Sequence, residues 1–145
     1  MAQMDSIKED IGMSINQIDI IENKINVSAF NQEKYEDAAN YWKDAAAKAK
    51  KSYLAPISYF NLATCYENLG NVDAAMENYK LAADNNDFVM RTHAMFSYGR
   101  ILETKGDYAT AAAAYTELND NFPSDSWAKL AKSRLISLKN EGKIE

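Results

Sequence analysis

The residue types that carry most enzyme chemistry are sparse in this chain. His93 is the only histidine and Cys65 the only cysteine. The sequence therefore offers no cluster of metal ligands, and no second histidine that would support a catalytic pair of cysteine and histidine. Glu67 and Glu103 are carboxylates that could act as an acid–base pair, but their spacing has another explanation, given below. The run of aspartate and asparagine at 84–87 lacks the glycine and the terminal glutamate of a calcium-binding loop. We therefore expect no catalytic residue, no metal site and no cofactor.

The spacing of the two glutamates is explained by an internal repeat of 36 residues. The first copy contains Tyr59, Leu62, Ala63, Tyr66, Gly70, Ala75 and Tyr79, and the second contains Met95, Tyr98, Gly99, Leu102, Gly106, Ala111 and Tyr115. The second half of the pattern also occurs upstream, as Tyr35, Ala38 and Trp42. Repeats of this length are typical of solenoids, which present an extended binding surface. The pattern favours binding over catalysis.

Helices are expected to position these residues, because the chain contains only 5 glycines and 2 prolines and has an alanine-rich run at 109–114. Periodicity predicts seven helices and no strand, at about 4–27, 32–50, 56–70, 71–84, 88–105 and 107–122, with a last helix after Ser124. We interpret Gly70 and Gly106 as C-terminal caps, and Asn71, Asp107 and Ser124 as N-terminal caps. Short connections within the pairs predict antiparallel neighbours.

Small residues recur where the two helices of a pair are expected to meet. Ala63 and Gly99 share one repeat position, and Ala75 and Ala111 share another. A glycine inside a helix is less favourable than alanine by roughly 1 kcal/mol. The presence of Gly99 therefore predicts a contact that leaves no room for a methyl group.

These motifs resemble the tetratricopeptide repeat (TPR). The first copy matches the family pattern at Tyr59, Leu62, Ala63, Tyr66, Gly70, Ala75, Tyr79 and Ala82, and the second at Gly99, Gly106, Tyr108, Ala111, Tyr115 and Pro123. The resemblance covers about residues 30–140 and implies an all-α solenoid of about seven helices in stacked antiparallel hairpins, with a C-terminal capping helix. We assign residues 1–28 to an N-terminal helix and 29–145 to the repeat domain. The segments 105–108 and 122–124 are further similar to bacterial envelope repeat proteins of the TolA-binding and BamD-like groups.

The resemblance implies a non-catalytic interaction module that binds a protein or peptide in a groove lined by first helices. The corresponding residues are Ile57, Phe60, Thr64, Glu67 and Asn68 in the first copy, and His93, Phe96, Arg100, Glu103 and Thr104 in the second. Of the family's carboxylate-gripping set, only Asn61 and Arg100 have candidates here. Phe60 and Phe96 at equivalent positions favour an apolar or aromatic-tolerant groove. Alternatively, both phenylalanines pack between repeats or against the N-terminal helix.

The N-terminal helix has isoleucines at alternating spacings of three and four residues, the seam pattern of a coiled coil. The seam consists of Ile7, Ile11, Ile18, Ile21 and Ile25, together with Met4 and Ser14. If it is intermolecular, the chain is a homo-oligomerising scaffold, and isoleucine at both seam positions favours trimers or tetramers. Because solenoid ends need covering, we expect the seam to pack internally and the chain to be a monomer.

Charge and hydropathy limit the expected partners to proteins or peptides. The net charge of −5 argues against nucleic acid, which requires a concentrated basic surface, and we interpret Lys129, Lys132 and Arg134 as a solvated helix face. No window approaches 18 apolar residues, so we expect no membrane insertion. The start of the sequence lacks a signal pattern, which predicts a cytoplasmic protein, or a periplasmic one if a signal or anchor has been removed.

Overall fold

The computed structural model describes residues 32–49 and 52–145. This part of the chain contains six helices, α1 (Gln32–Lys48), α2 (Leu54–Asn68), α3 (Val72–Ala83), α4 (Arg91–Thr104), α5 (Tyr108–Asn121) and α6 (Ser126–Asn140). No described residue lies in a strand, so the all-α prediction is confirmed and six of the seven helices lie close to their expected bounds. The predicted helix at 4–27, its isoleucine seam and the 1–28 segment lie outside the described residues.

The described residues form two compact units, with the boundary between residues 78 and 79, inside α3. In the described part of the first unit, α1 packs on α2. The core of this pair contains Tyr35, Ala38, Trp42 and Ala45 from α1, and Leu54, Leu62 and Cys65 from α2. The α1 residues recur every three or four positions, which places them on one helical face. This amphipathic stripe explains the burial of the upstream repeat fragment.

In the second unit, α5 packs against both α4 and α6, and α4 also contacts α6. The connections are only three and four residues long, at 105–107 and 122–125, so each helix runs antiparallel to the next. The buried residues include Met95 and Leu102 from α4, Ala111, Tyr115 and Leu118 from α5, and Ala128, Ala131 and Leu138 from α6. These are the helices that position the predicted residues of the second repeat.

The turn between α4 and α5 combines a glycine cap with an aspartate cap. Gly106 has a left-handed φ of +82°, and its amide donates to the carbonyl of Glu103 at 3.0 Å. The amide of Asp107 donates to the carbonyl of Leu102 at 2.9 Å, and its side chain accepts from the amide of Thr110 at 3.3 Å. One turn therefore satisfies the end of α4 and the start of α5.

The same arrangement follows α2, where Gly70 has φ +79° and Asn71 accepts from the amide of Ala74 at 3.3 Å. The predicted caps at these two turns are confirmed. The predicted cap Ser124 is wrong by one residue. Asp125 directly precedes α6, and its side chain accepts from the amide of Trp127 at 2.8 Å.

Gly99 packs directly against the ring of Tyr115. A Cβ atom on residue 99 would lie 2.6 Å from Cε1 and 2.9 Å from Cδ1 of that ring. Carbon atoms in favourable contact lie about 3.5–4.0 Å apart, so a methyl group does not fit there. Tyr115 is fully buried, which leaves its ring little freedom to move away. The predicted close contact at Gly99 is confirmed.

We expect Gly99→Leu to lower the free energy of unfolding by roughly 1–3 kcal/mol, because the new side chain overpacks the contact with Tyr115. Ala47→Leu is the matched control, since residue 47 is exposed on α1. Urea unfolding followed by circular dichroism measures both variants. Equal stability of the two variants would contradict the close-contact explanation.

Candidate partner-binding face

The residues predicted to line the groove form one face on each of two helices. The α2 face consists of Ile57, Phe60, Asn61, Thr64, Glu67 and Asn68, and the α4 face of His93, Phe96, Arg100, Glu103 and Thr104. All eleven are at least partly exposed. Their three- and four-residue spacings place each set along one side of its helix. The α2 face belongs to the first unit and the α4 face to the second.

Two polar side chains of the α2 face, those of Thr64 and Asn68, bond to the backbone of their own helix. The Thr64 hydroxyl donates to the carbonyl of Phe60 at 3.1 Å, and the Asn68 side-chain amide donates to the carbonyl of Thr64 at 2.8 Å. The two apolar side chains of the face are those of Ile57 and Phe60. Ile57 also packs against the core of the first unit.

Aromatic rings join the α4 face to α6. The ring of His93 stacks on Trp127, with centroids 3.9 Å apart and planes inclined by 6°. Phe96 lies 5.4 Å from the Trp127 ring and 5.7 Å from the Tyr115 ring, between centroids. These distances are typical of favourable aromatic pairs. His93, Phe96 and Trp127 are each half-buried and form what we call the aromatic surface.

The ionisation state of His93 is consistent with its packing against Trp127. Burial, followed by the positive charge of Arg100, lowers the pKa of His93. The neutral imidazole is therefore favoured at physiological pH, which suits a ring held flat against an indole. His93 serves here as part of an apolar surface.

Glu103 forms the polar end of the α4 face and connects three helices. Its carboxylate accepts hydrogen bonds from the Tyr115 hydroxyl at 2.8 Å and from Arg134 Nε at 3.2 Å, and a second nitrogen of Arg134 makes the pair bidentate. Burial raises the pKa of Glu103, but the hydrogen bonds from Arg134 and Tyr115 outweigh it, and the pKa lies below its ordinary value. Glu103 is therefore ionised at neutral pH and holds α5 and α6 against α4.

Two residues of this site, Trp127 and Arg134, were not predicted. The interpretation of Arg134 as part of a solvated basic face is wrong, because it binds Glu103. A signal for this role exists in the repeat. Arg134 occupies the position held by Leu62 and Tyr98 in the preceding copies, and a charge replacing an apolar residue indicates a specific partner. Trp127 carries no comparable signal.

The remaining candidate residues are not positioned for nucleophilic catalysis or metal binding. Cys65 is only 1% exposed, and burial raises the pKa of its thiol to about 12, which suppresses the reactive thiolate. Within residues 32–49 and 52–145, no histidine, cysteine and carboxylate side chains cluster in a way that could hold a metal ion. The helices in the same part of the chain are too short or too polar to span a membrane.

Comparison with known proteins agrees with the helical-repeat architecture. Residues 27–89 and 86–126 match a family model described as tetratricopeptide repeat. A TPR repeat-containing protein of Treponema pallidum (strain Nichols) is 38% identical over 109 residues. The match covers 75% of this chain and 46% of the relative, so the chain spans about half the length of that curated relative. No solved structure matches the chain.

We expect Glu103→Gln to lower the free energy of unfolding at neutral pH by roughly 1–3 kcal/mol, because Arg134 and Tyr115 lose a charged acceptor. The folded-state pKa lies below the ordinary value of 4.5, so this stabilisation is present above 4.5 and is lost as the pH falls through the folded value. The difference in the free energy of unfolding between the native protein and Glu103→Gln should therefore become smaller at acid pH.

Urea unfolding at neutral pH and at about pH 3 measures this difference. Glu117→Gln, which changes an exposed glutamate of α5, is the matched control and should show little effect at either pH. A Glu103→Gln difference that stays the same in acid would contradict the role assigned to this ion pair.

Proposed function

Because the chain belongs to the tetratricopeptide repeat family, we propose that it binds a protein or peptide partner through the α2 face and the α4 face. Repeats of this family generally mediate contacts between proteins. The observation that carries the proposal is the aromatic surface, in which the partly exposed rings of His93 and Phe96 both pack on Trp127. Aromatic side chains with this degree of exposure are frequent anchors of binding energy at protein interfaces.

The chemistry of the α4 face favours a particular kind of ligand. His93, Phe96 and Trp127 supply an apolar platform, and Arg100 brings a positive charge close enough to lower the pKa of His93. The partner segment is therefore expected to carry an aromatic or aliphatic side chain with a carboxylate nearby. On the α2 face, considered by itself, Phe60 provides a partly exposed apolar side chain.

The same contacts support a non-catalytic role for this chain. Glu103 is held in an ion pair, His93 is stacked on Trp127, and Cys65 is buried with a protonated thiol. General acid–base catalysis requires a group that can release and take up a proton near the working pH. Each of these side chains is instead used in packing. The relative from Treponema pallidum fits a bacterial origin, while an envelope location stays a prediction.

We expect Phe60→Ala combined with Phe96→Ala to weaken partner binding by roughly tenfold or more, because both apolar anchors are lost. The partner is first recovered from a lysate of the source organism on the immobilised chain, and its affinity is then measured by calorimetry. Tyr53→Ala, which removes an aromatic residue that is 61% exposed but lies outside both faces, should bind normally.

Phe96 also packs on Tyr115, so the double variant could lose stability as well as binding. Arg100→Glu provides a second test, because it reverses a charge on the α4 face without removing a ring. It should weaken binding, and circular dichroism checks that the variant is folded. Normal binding by both folded variants would exclude the two faces as the binding site.

A further inference from the structure

Helix α6 ends in the same turn as α2 and α4. Gly142 has a left-handed φ of +73°, and its amide and that of Lys143 donate to the carbonyls of residues 139 and 138 at 3.0 and 2.9 Å. Gly142 follows Gly106 by 36 residues, just as Gly106 follows Gly70. By its turn and its spacing, α6 is a further first helix of the repeat.

A first helix of this kind packs against a second helix, as α4 packs against α5. On α6, the corresponding side faces a groove of about 720 Å³ between α5 and α6. The α5 wall runs from residue 109 to residue 119, which corresponds to roughly 15 Å or three helical turns. The α5 wall of this groove, which we call the α5–α6 groove, therefore has the length of a short helix.

The α6 wall of the α5–α6 groove is apolar and has lysines at its sides, and residues 143–145, which include Lys143 and Glu145, complete the lining. Leu135 and Ile136 provide the apolar side chains, and Ile136 is 53% exposed. Lys132 and Lys139, also in the groove lining, are exposed, and among the described residues neither forms an ion pair. An apolar strip beside two lysines is complementary to an amphipathic helix whose apolar stripe is flanked by acidic residues. Two copies of the groove facing each other would bring lysines together, which disfavours a second copy as occupant.

The shape of the groove adds a further constraint. Leu135 occupies the repeat position of Gly99, where only a hydrogen fits beneath Tyr115. A helix with an aromatic residue opposite Leu135 would therefore collide with it. The facing α5 wall has small side chains at Ala112 and Thr116, which leave space for larger groups. The occupant is expected to place small residues against α6 and larger apolar residues against α5.

We propose that the α5–α6 groove is a second docking site, which binds an acidic amphipathic helix of about three turns from a partner protein. The residues that line it are separate from the α2 face and the α4 face. The chain can therefore hold one partner on its first-helix faces and a helix of another chain in the groove. This site does not depend on the function proposed for the first-helix faces.

The probe is a fluorescein-labelled synthetic peptide of about 11 residues, with an alanine and leucine stripe flanked by glutamates. A matched peptide carries lysine in place of every glutamate. Fluorescence anisotropy with the full chain at low salt should show saturable binding of the glutamate peptide and none of the lysine peptide. Absence of glutamate-peptide binding, or equal binding of both peptides, would overturn the proposal.

Variants of the chain locate the binding. Lys132→Glu with Lys139→Glu should weaken glutamate-peptide binding by roughly tenfold or more, and Ile136→Asp should abolish it. Lys43→Glu with Lys48→Glu on α1 makes the same change in net charge at residues that do not line the groove and should have a much smaller effect. Circular dichroism checks that each variant is folded. Equal weakening by both lysine pairs would overturn the proposal, as would a dimer in light scattering that Ile136→Asp dissociates.

Discussion

The contact between Gly99 and Tyr115 determines how the second unit is arranged. Because residue 99 lacks a side chain, the Tyr115 ring lies directly against α4, where an added Cβ would be 2.6 Å away. The buried ring then supports Phe96, and its hydroxyl donates to Glu103. Glu103 in turn binds Arg134 of α6. One glycine therefore positions both the apolar and the polar parts of the α4 face.

This arrangement has a consequence for binding. Phe96 is supported from below by Tyr115 and from the side by Trp127, and His93 is stacked on the same indole. Side chains that are already held in one conformation lose little entropy when a ligand binds. The ion pair between Glu103 and Arg134 holds α6, and with it Trp127, in place. The packing that stabilises the unit thus also prepares the aromatic surface for a partner.

The features that sequence could predict are those encoded by local or periodic signals. Gly106 and Asp107 were identified as caps because a left-handed turn and a first-turn acceptor each require particular residue types. The close contact at Gly99 was predicted because a glycine inside a helix is less favourable than alanine, and a contact without room for a methyl group explains its presence. The cap of α6 is Asp125 and not the predicted Ser124, because serine and aspartate have nearly equal preferences for this position and the pattern locates the start of a helix only to within a residue or two.

The features that sequence did not reveal depend on contacts between helices. The pairing of Glu103 with Arg134 spans 31 residues, and the repeat pattern does not state which charge on the next helix faces which acid. Trp127 lies on the last helix, and its stacking on His93 depends on how α6 lies beside α4. Periodicity therefore predicted which helix face would matter, but not how the rings on that face would meet.

The two tryptophans provide a direct test of binding at the α4 face. Trp127 belongs to the aromatic surface, whereas Trp42 is 4% exposed in the core of the first unit and serves as an internal reference. Their indole N–H signals can be followed by nuclear magnetic resonance while the recovered partner is titrated into the labelled chain. We predict that the Trp127 signal shifts until the partner saturates, while the Trp42 signal stays in place. A saturated complex in which the Trp127 signal has not moved would contradict partner binding at this face.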